Sequence, residues 1–254
     1  MRASQSALVV LQCVALLALL ALGGWGTAMW ASSAQARPTA ASYARVEVDP
    51  APTALPEPTG VTSVITPAVS ISARIDPSWL DTISARTGIP RTALAAYAGA
   101  ASVLTEQSPG CHLGWNTLAA IGHIESDDGR HGGAVVSDNG YSSVPIIGPK
   151  LDGGAFAGIH DSDGGVWDGD TVWDHAVGPF QFIPQTWRTW GADGNGDGQA
   201  DPNQMDDAAL TAARYLCHAG DMSTVDGWRR AVLSYNHSES YVDDVAKRAN
   251  SYHS

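Results

Sequence analysis

Residues 115–130 read WNTLAAIGHIESDDGR, a stretch that predicts a helix with a carboxylate on its apolar face. Leu118, Ile121 and Glu125 recur at spacings of three and four residues, which places them on one side of a helix. An ionised side chain taken out of water is costly unless it is paired. Glu125 is therefore a candidate for a carboxyl group that burial keeps protonated, the state that a general acid needs.

The composition limits the classes of function. The chain has 254 residues, 44% of them hydrophobic, which is enough for one domain of ordinary size and additional segments. Its formal net charge is -12, with 26 acidic residues against 14 Lys and Arg, and this charge argues against a nucleic-acid partner. Nine Trp residues are many for this length, and their rings suit stacking on sugars as well as core packing.

Residues 1–36 predict export from the cytoplasm. Arg2 precedes an uncharged, largely apolar run over residues 7–31, and the sequence AQA at residues 34–36 fits a signal-peptide cleavage site. The uncharged run is also long enough to cross a bilayer as a retained anchor. A cleaved signal peptide and a membrane anchor on the outer face both remain open, and each is an exported protein.

Residues 37–74 are rich in Pro, Ala and Thr, a composition that predicts a disordered linker. The folded domain is expected over residues 75–254. Its start is indicated by Asp76 and Pro77, which fit a helix cap followed by proline at the first helical position.

The domain is predicted to be mainly α-helical with a long irregular insert. Residues 129–175 contain many Gly and Asp and little periodicity, which indicates irregular loops with short ribbons. Apart from the helix bearing Glu125, helices are predicted at residues 79–86, 92–107, 186–190, 207–218, 225–236 and 241–249.

Cys111 and Cys217 are the two cysteines outside the export segment. An even pair in a chain sent to an oxidising compartment predicts a disulfide. Two buried thiols are the alternative.

Three motifs carry a resemblance to a known family. They are IES at residues 124–126, GPFQFIPQTW at residues 178–187 and SYNHS at residues 234–238. In this order they resemble the lytic murein transglycosylases, most closely the membrane-bound lytic transglycosylase B type with its lysozyme-like fold. The resemblance extends from about Ile75 to the C-terminus.

The resemblance implies cleavage of the β-1,4 bond between N-acetylmuramic acid and N-acetylglucosamine in peptidoglycan, without water. Glu125 would first act as general acid and then help the C6 hydroxyl attack C1, which leaves a 1,6-anhydro end. The substrate groove would be lined by Ser126, Gln181, Phe182, Tyr235 and Asn236. Core packing is the alternative for Phe182 and Tyr235, and bonding to buried backbone is the alternative for Gln181.

Other functions remain possible at the level of the sequence. A hydrolytic muramidase or another two-carboxylate glycosidase could use Asp127 or Asp128, although these two residues are interpreted more simply as a solvated helix end. Aspartates of the insert are further candidates for a second carboxylate: Asp161, Asp163, Asp168, Asp170 and Asp174. A peptidoglycan-binding module without turnover is a third possibility.

A second motif, DGNGDGQAD at residues 193–201, resembles the start of a calcium loop. Oxygen ligands are expected from Asp193, Asn195 and Asp197, with a backbone carbonyl from Gln199. Position 12 of such a loop is Gln204 here, and the family resemblance implies Asp207 in its place. Calcium would be structural, no cofactor is expected for catalysis, and a tight turn without a metal is the alternative. The expected partner is the peptidoglycan glycan strand, bound by a monomer.

Overall fold

A computed structural model describes residues 69–154 and 156–252, and in this part of the chain the fold is mainly α-helical, as predicted. Residues 1–68, which hold the predicted export segment and most of the predicted linker, lie outside the described residues. No helix within the described ranges combines the length and the apolar character needed to span a membrane. The described residues form seven α-helices: α1 (Pro77–Thr87), α2 (Arg91–Gln107), α3 (Trp115–Ser126), α4 (Pro184–Trp190), α5 (Met205–His218), α6 (Val225–Tyr235) and α7 (Glu239–Ser251).

Helix α2 forms the centre of the domain. Nearly all its side chains from Ala93 to Leu104 are buried, and many are Ala or Gly. These small residues let neighbouring helices approach closely, and α1, α3 and α5 all pack against α2. A Cβ atom on Gly99 would lie 2.3 Å from the carbonyl oxygen of Ile71, so glycine is required where the chain preceding α1 crosses α2.

The segment before α1 belongs to the folded domain. Ile71–Arg74 is a 3-10 helix, and the Ile71 side chain is buried against α2. The hydroxyls of Ser70 and Ser72 both donate to the carboxylate of Asp206, and the Ile71 amide donates to the Gly194 carbonyl at 2.9 Å. The contacts of the domain therefore include residues 70–72, before the expected boundary at residue 75, through partners more than 100 positions away.

The predicted helices agree with the structure to within two residues at their ends. In α1, Asp76 accepts hydrogen bonds from the amides of Ser78 and Trp79, and Gly88 ends the helix with φ 73°. Helix α3 packs between α2 and α7, with Leu118 and Ile121 fully buried as their spacing predicted. This packing places the end of α3 inside the domain.

The insert contains one small sheet and a series of turns. Strands β1 (Ile147–Lys150) and β2 (His175–Val177) pair antiparallel, with Ile147 opposite Val177. Aspartate side chains hold much of the remainder: Asp161, for example, accepts from the amides of residues 163, 164 and 165. The prediction of irregular loops with short ribbons is confirmed.

The predicted disulfide is present. Cys111 and Cys217 are bonded, with their Cα atoms 5.3 Å apart. The bond joins the segment before α3 to the last turn of α5, so the alternative of two buried thiols is excluded.

Candidate active site

Glu125 lies in the last turn of α3 and is only 9% exposed. Most residues of α3 are buried, and many of their side chains are apolar. Burial raises the pKa of Glu125 from 4.5 to about 7, since a charged carboxylate loses its hydration there. The carboxyl group is therefore protonated to a large extent at neutral pH, as the sequence pattern suggested.

Tyr241 of α7 contacts Glu125 directly. Its hydroxyl donates to Oε1 of Glu125 at 2.6 Å, and this bond opposes the effect of burial on the pKa. The sequence analysis did not identify Tyr241. It lies on the buried stripe of α7 with Val242 and Val245, and a phenol among apolar positions was the available signal.

Ser126 joins the end of α3 to the turn that precedes α4. Its hydroxyl donates to the Pro179 carbonyl at 2.7 Å and accepts from the Gly129 amide at 2.9 Å. The side chain is buried, and its role beside the substrate stays a prediction. Both roles of the hydroxyl are satisfied by backbone groups within the protein.

The turn over residues 178–182 is tightly constrained. Val177 and Phe182 exchange two backbone hydrogen bonds of 2.9 and 3.0 Å, which close the turn. A Cβ atom on Gly178 would lie 1.8 Å from the Pro202 carbonyl oxygen, so only glycine fits. Gln181 has φ 50°, a left-handed conformation that costs a residue with a side chain about 1–2 kcal/mol. Such strain persists where the surroundings hold it, often at functional sites.

Two side chains of this turn, Gln181 and Phe182, differ in their burial. Gln181 is half-buried, and its Nε2 donates to the Gly178 carbonyl at 3.0 Å, which agrees with the alternative of bonding to backbone. Phe182 is buried and packs against the rings of Trp187 and Tyr235, with centroids 5.4 and 5.9 Å away. This packing agrees with the alternative of core packing for Phe182, and contact with the substrate stays a prediction.

Tyr235 brings the end of α6 to the same place. Its hydroxyl donates to the Phe180 carbonyl at 2.7 Å. Burial raises the pKa of Tyr235 well above its ordinary value, and the charge of the nearby Glu125 adds to this effect. Asn236, the residue that ends α6, is buried, and its amide donates to the Val232 carbonyl at 3.1 Å. The three stretches at residues 124–126, 178–187 and 234–238 therefore lie together near the carboxyl group of Glu125.

Asp127 and Asp128 do not face Glu125 as a second carboxylate. Asp127 is exposed and pairs with Arg130 at 2.9 Å, as expected of a solvated helix end. Asp128 is fully buried and accepts from the hydroxyl of Tyr97 at 3.3 Å, so the prediction that it is solvated is wrong. Its partner Tyr97 lies 31 positions earlier, which local sequence patterns do not reveal.

The loop predicted to bind calcium is organised by its own side chains. Asp193 accepts from the amides of Gly196 and Gly198, and Asp197 accepts from the Gln199 amide. The side chain of Asn195 is half-buried and accepts from the Asp197 amide.

Asp207 supports this loop from beneath. Its carboxylate accepts from the amides of Gly194, Asn195 and Asp201 at 2.7 to 3.0 Å. Burial, with a smaller contribution from the charge of Asp193, raises the pKa of Asp207 to about 6. Gln204 is not available as a ligand, because it caps α5 by accepting from the Asp207 amide.

The donor set of the loop fits a hard cation. Its side chains offer carboxylate and amide oxygens, the ligands that calcium prefers. In the described part of the chain, no Lys, Arg or His forms an ion pair with Asp193, Asp197 or Asp207. The negative charges of this loop therefore lack a protein counter-cation there.

Elsewhere in the described residues, two groups of side chains bring possible metal ligands within 4.8 Å of one another, namely His123 with Asp127 and Asp128, and Asp161 with Asp163 and Asp174. The first group already contacts the guanidinium groups of Arg130 and Arg248, which supply positive charge. The second group accepts hydrogen bonds from the insert: Asp174 from the amide and hydroxyl of Ser162, for instance. Sequence reasoning left the insert aspartates open, and these bonds show that they shape the loops.

Comparison with known proteins gives one match. No significant match was found among curated proteins or among solved structures. Residues 168–232 match the family model of the transglycosylase SLT domain, a range that includes the turn at 178–182 and the acidic loop but not Glu125 or Tyr241. The match supports a lytic transglycosylase family, whose members act on peptidoglycan outside the cytoplasm, and it does not single out the membrane-bound B type.

Proposed function

We propose that the protein is a lytic transglycosylase that cleaves the β-1,4 bond between N-acetylmuramic acid and N-acetylglucosamine and leaves 1,6-anhydromuramoyl ends. The observation that carries the proposal is the buried carboxyl group of Glu125, whose pKa is raised to about 7. It lies beside a strained turn that belongs to the range matching the SLT domain. Peptidoglycan glycan strands are the substrate.

In the first step, protonated Glu125 donates its proton to the glycosidic oxygen as the bond from that oxygen to C1 of the muramoyl residue breaks. Tyr241 donates to Oε1, which leaves Oε2 to carry the proton. A general acid works best when its pKa lies near the working pH, and burial provides this for Glu125.

In the second step, the Glu125 carboxylate accepts the proton of the C6 hydroxyl of the same muramoyl residue. The C6 oxygen forms a bond to C1, which closes the 1,6-anhydro ring and restores the protonated acid. The hydroxyl is part of the substrate, so its effective concentration at C1 is far higher than that of water. One carboxyl group thus serves both steps.

A hydrolytic muramidase is the alternative reaction. Such enzymes usually place a second carboxylate across the sugar, about 5–9.5 Å from the first. Burial is the cause that raises the pKa of Glu125. Asp128 is bonded to Tyr97 and Asp127 to Arg130, so neither is free for this role. The single-carboxylate reaction is therefore favoured, and the same acid argues against a binding module without turnover.

The loop around Asp193 is proposed to bind a structural calcium ion through Asp193, Asn195, Asp197, Asp207 and the carbonyl of Gln199. The oxygen ligands of the loop support this assignment, together with the absence of a Lys, Arg or His ion pair to its aspartates within the described residues. The ion would stabilise the loop and take no part in bond cleavage. We further propose that the protein acts outside the cytoplasm as a monomer, either after removal of residues 1–36 or held at the membrane by residues 7–31.

The test is Glu125→Gln with product analysis. Gln keeps the size of the side chain but cannot transfer a proton, so the rate of peptidoglycan cleavage should fall about a hundredfold to ten-thousandfold or more. Mass spectrometry of wild-type digests should find muramoyl ends one water lighter than hydrolytic ends. Glu106→Gln is the matched control, since Glu106 lies in the last turn of α2 but is exposed.

Each outcome has a distinct meaning. Unchanged cleavage by the Glu125→Gln protein would move catalysis to another residue. Free reducing ends from the wild-type protein would make it a hydrolytic muramidase. A wild-type protein that binds cell walls without cleaving them would be a binding module.

A further inference from the structure

Asp128 is a buried charge that the proposed reaction does not use. It is 0% exposed, and a carboxylate in that position is costly unless donors compensate it. Each of its oxygens has one: the Tyr97 hydroxyl donates to Oδ1 at 3.3 Å, and Arg130 Nη2 donates to Oδ2 at 3.3 Å. The cost of burying this charge suggests that Asp128 has a specific role. Its position three residues after Glu125 indicates which role.

The backbone around Asp128 folds back onto the turn that holds Glu125. Asp127, Asp128 and Gly129 have φ values of 53°, 59° and 82°, three consecutive left-handed residues. Two of them are aspartates, and Asp is one of the few residues with a side chain that adopts this conformation readily. The Asp128 amide donates to the Gly122 carbonyl at 3.1 Å, which ties this reversal to the last turn of α3.

Tyr97 contacts α3 on both sides of Glu125. A Cβ atom on Gly122 would lie 2.4 Å from the Tyr97 hydroxyl oxygen, so this hydroxyl touches the helix backbone three residues before Glu125. The same hydroxyl donates to Asp128, three residues after it. Tyr97 is itself fully buried and packs edge-on against Phe180 of the strained turn, with centroids 5.7 Å apart. One side chain of α2 thus braces the whole last turn of α3.

Helix α7 completes the surroundings of Asp128. Arg248 Nη2 lies 3.0 Å from His123 Nδ1, and because a guanidinium only donates, Nδ1 accepts this bond. The 3.3 Å contact of the same nitrogen with Asp128 is then not a hydrogen bond. The ring of Tyr252, just after α7, also feels the charge of Asp128. Helix α7 carries Tyr241 as well. Tyr241, which contacts Glu125, and Arg248, which contacts His123, therefore belong to the same helix.

We propose that Asp128 is a positioning residue for Glu125: it fixes the end of α3 against Tyr97 and so holds the Glu125 carboxyl beside Tyr241. Asp128 does not touch the substrate in this role. The inference rests on the proposed function of Glu125 as the acid.

The test compares Asp128→Asn with Asp127→Asn. Asn keeps the size of Asp128 but removes the charge that Arg130 faces, so the last turn of α3 should loosen. We expect kcat to fall on the order of tenfold, with KM within about twofold, because small displacements of a catalytic group are costly. Asp127 shares Arg130 as a partner but is 51% exposed, so its variant should keep wild-type kcat.

A second readout follows Glu125 itself. In a ¹³C NMR titration of the side-chain carboxyl, Glu125 should titrate at lower pH in Asp128→Asn than in the wild type, because water reaches a loosened turn. Tyr97→Phe removes only the hydroxyl and keeps the ring against Phe180. It should shift the titration and kcat in the same direction, and it decides the matter if Asp128→Asn does not fold.

A purely structural role gives a different pattern. Lower melting temperatures with unchanged kcat and an unchanged Glu125 titration, in Asp128→Asn and Tyr97→Phe alike, would overturn the proposal. A wild-type protein that does not cleave peptidoglycan would instead remove the proposed function, and the titration would still report whether Asp128 positions Glu125.

Discussion

Burial and a hydrogen bond act on Glu125 in opposite directions. Burial disfavours the carboxylate and raises the pKa, whereas the Tyr241 hydroxyl donates to the carboxylate and lowers it. The balance leaves a pKa of about 7. Since the protonated form is the acid, cleavage should fall as pH rises through this value.

Tyr241→Phe changes this balance in a known direction. Phe keeps the ring but removes the donor, so the Glu125 carboxylate loses stabilisation and the pKa should rise above about 7. The alkaline limb of the pH profile of kcat should move to higher pH, with a lower maximum because the carboxyl is held less firmly. Initial rates of peptidoglycan digestion across pH measure both effects.

Tyr215→Phe serves as the control for this change. Tyr215 is another partly buried tyrosine, and its hydroxyl donates to the Ser234 carbonyl at 2.8 Å, not to Glu125. Its variant should keep the wild-type midpoint. If Tyr241→Phe also keeps that midpoint, or lowers it, the hydrogen bond does not set the ionisation of Glu125.

Local sequence patterns were sufficient for some residues and not for others. Glu125 was identifiable because a carboxylate interrupted an apolar stripe within one helix. Tyr241 and Asp128 were not, because their roles depend on partners 116 and 31 positions away. Ser126 and Phe182 lie in the predicted motifs, and their side chains are buried, which the motifs alone did not indicate.

At the scale of elements, the loop from Asp193 to Asp201 and helix α5 form one unit. Asp207 in the first turn of α5 accepts from the loop amides of Gly194 and Asn195. The neighbouring Asp206 accepts from Ser70 and Ser72 in the segment before α1. Stability of the loop is therefore shared with the start of the domain.

Calcium should stabilise this unit. Binding to the native state alone adds about 2.7 kcal/mol at a hundredfold excess of free calcium over Kd, roughly 5–10 °C in Tm for a domain of this size. Calorimetry of the wild-type protein with calcium and with a chelator measures the shift. Asp197→Asn should lose most of it, because the variant keeps the turn but removes a charged ligand.

Asp138→Asn is the control for the calcium experiment, since Asp138 is an exposed acidic residue elsewhere in the insert. It should melt like the wild type in both conditions. Identical melting of the wild type with chelator and with saturating calcium would make the loop a turn that needs no metal.

The ends of the helices were predictable to within two residues. The insert was predictable only as an irregular segment, without its detailed conformation. Helices such as α1 announce their ends through Asp76, Pro77 and Gly88, which act within one turn. The insert is held by carboxylate bonds to amides and by pairs such as His160 with Trp173, stacked 4.2 Å apart. Such contacts have no period along the chain, so composition revealed only that the segment is irregular.

At the scale of the whole molecule, one covalent link spans much of the domain. The Cys111–Cys217 bond closes a loop with a sequence separation of 106. In the chain-entropy account, closing a loop of about 100 residues restricts the unfolded chain by up to about 4.7 kcal/mol. The link should therefore matter for stability far more than for catalysis.

Replacement of both cysteines by alanine should lower the free energy of unfolding by about 2–5 kcal/mol. Peptidoglycan cleavage by the folded protein at low temperature should persist, because neither cysteine contacts Glu125 in the hydrogen-bonded site. Urea denaturation of the wild type, oxidised and reduced, provides the comparison. Superimposable unfolding curves would show that the bond contributes nothing to stability.

The same bond also determines which products a single proteolytic cut can give. The ring between Cys111 and Cys217 contains Glu125, the insert and the acidic loop. A single cut in the insert, for example after the exposed Lys150, opens the ring without releasing a fragment. The two pieces of the nicked chain stay joined until the disulfide is reduced, so backbone cleavage and loss of helix α3 are separate events.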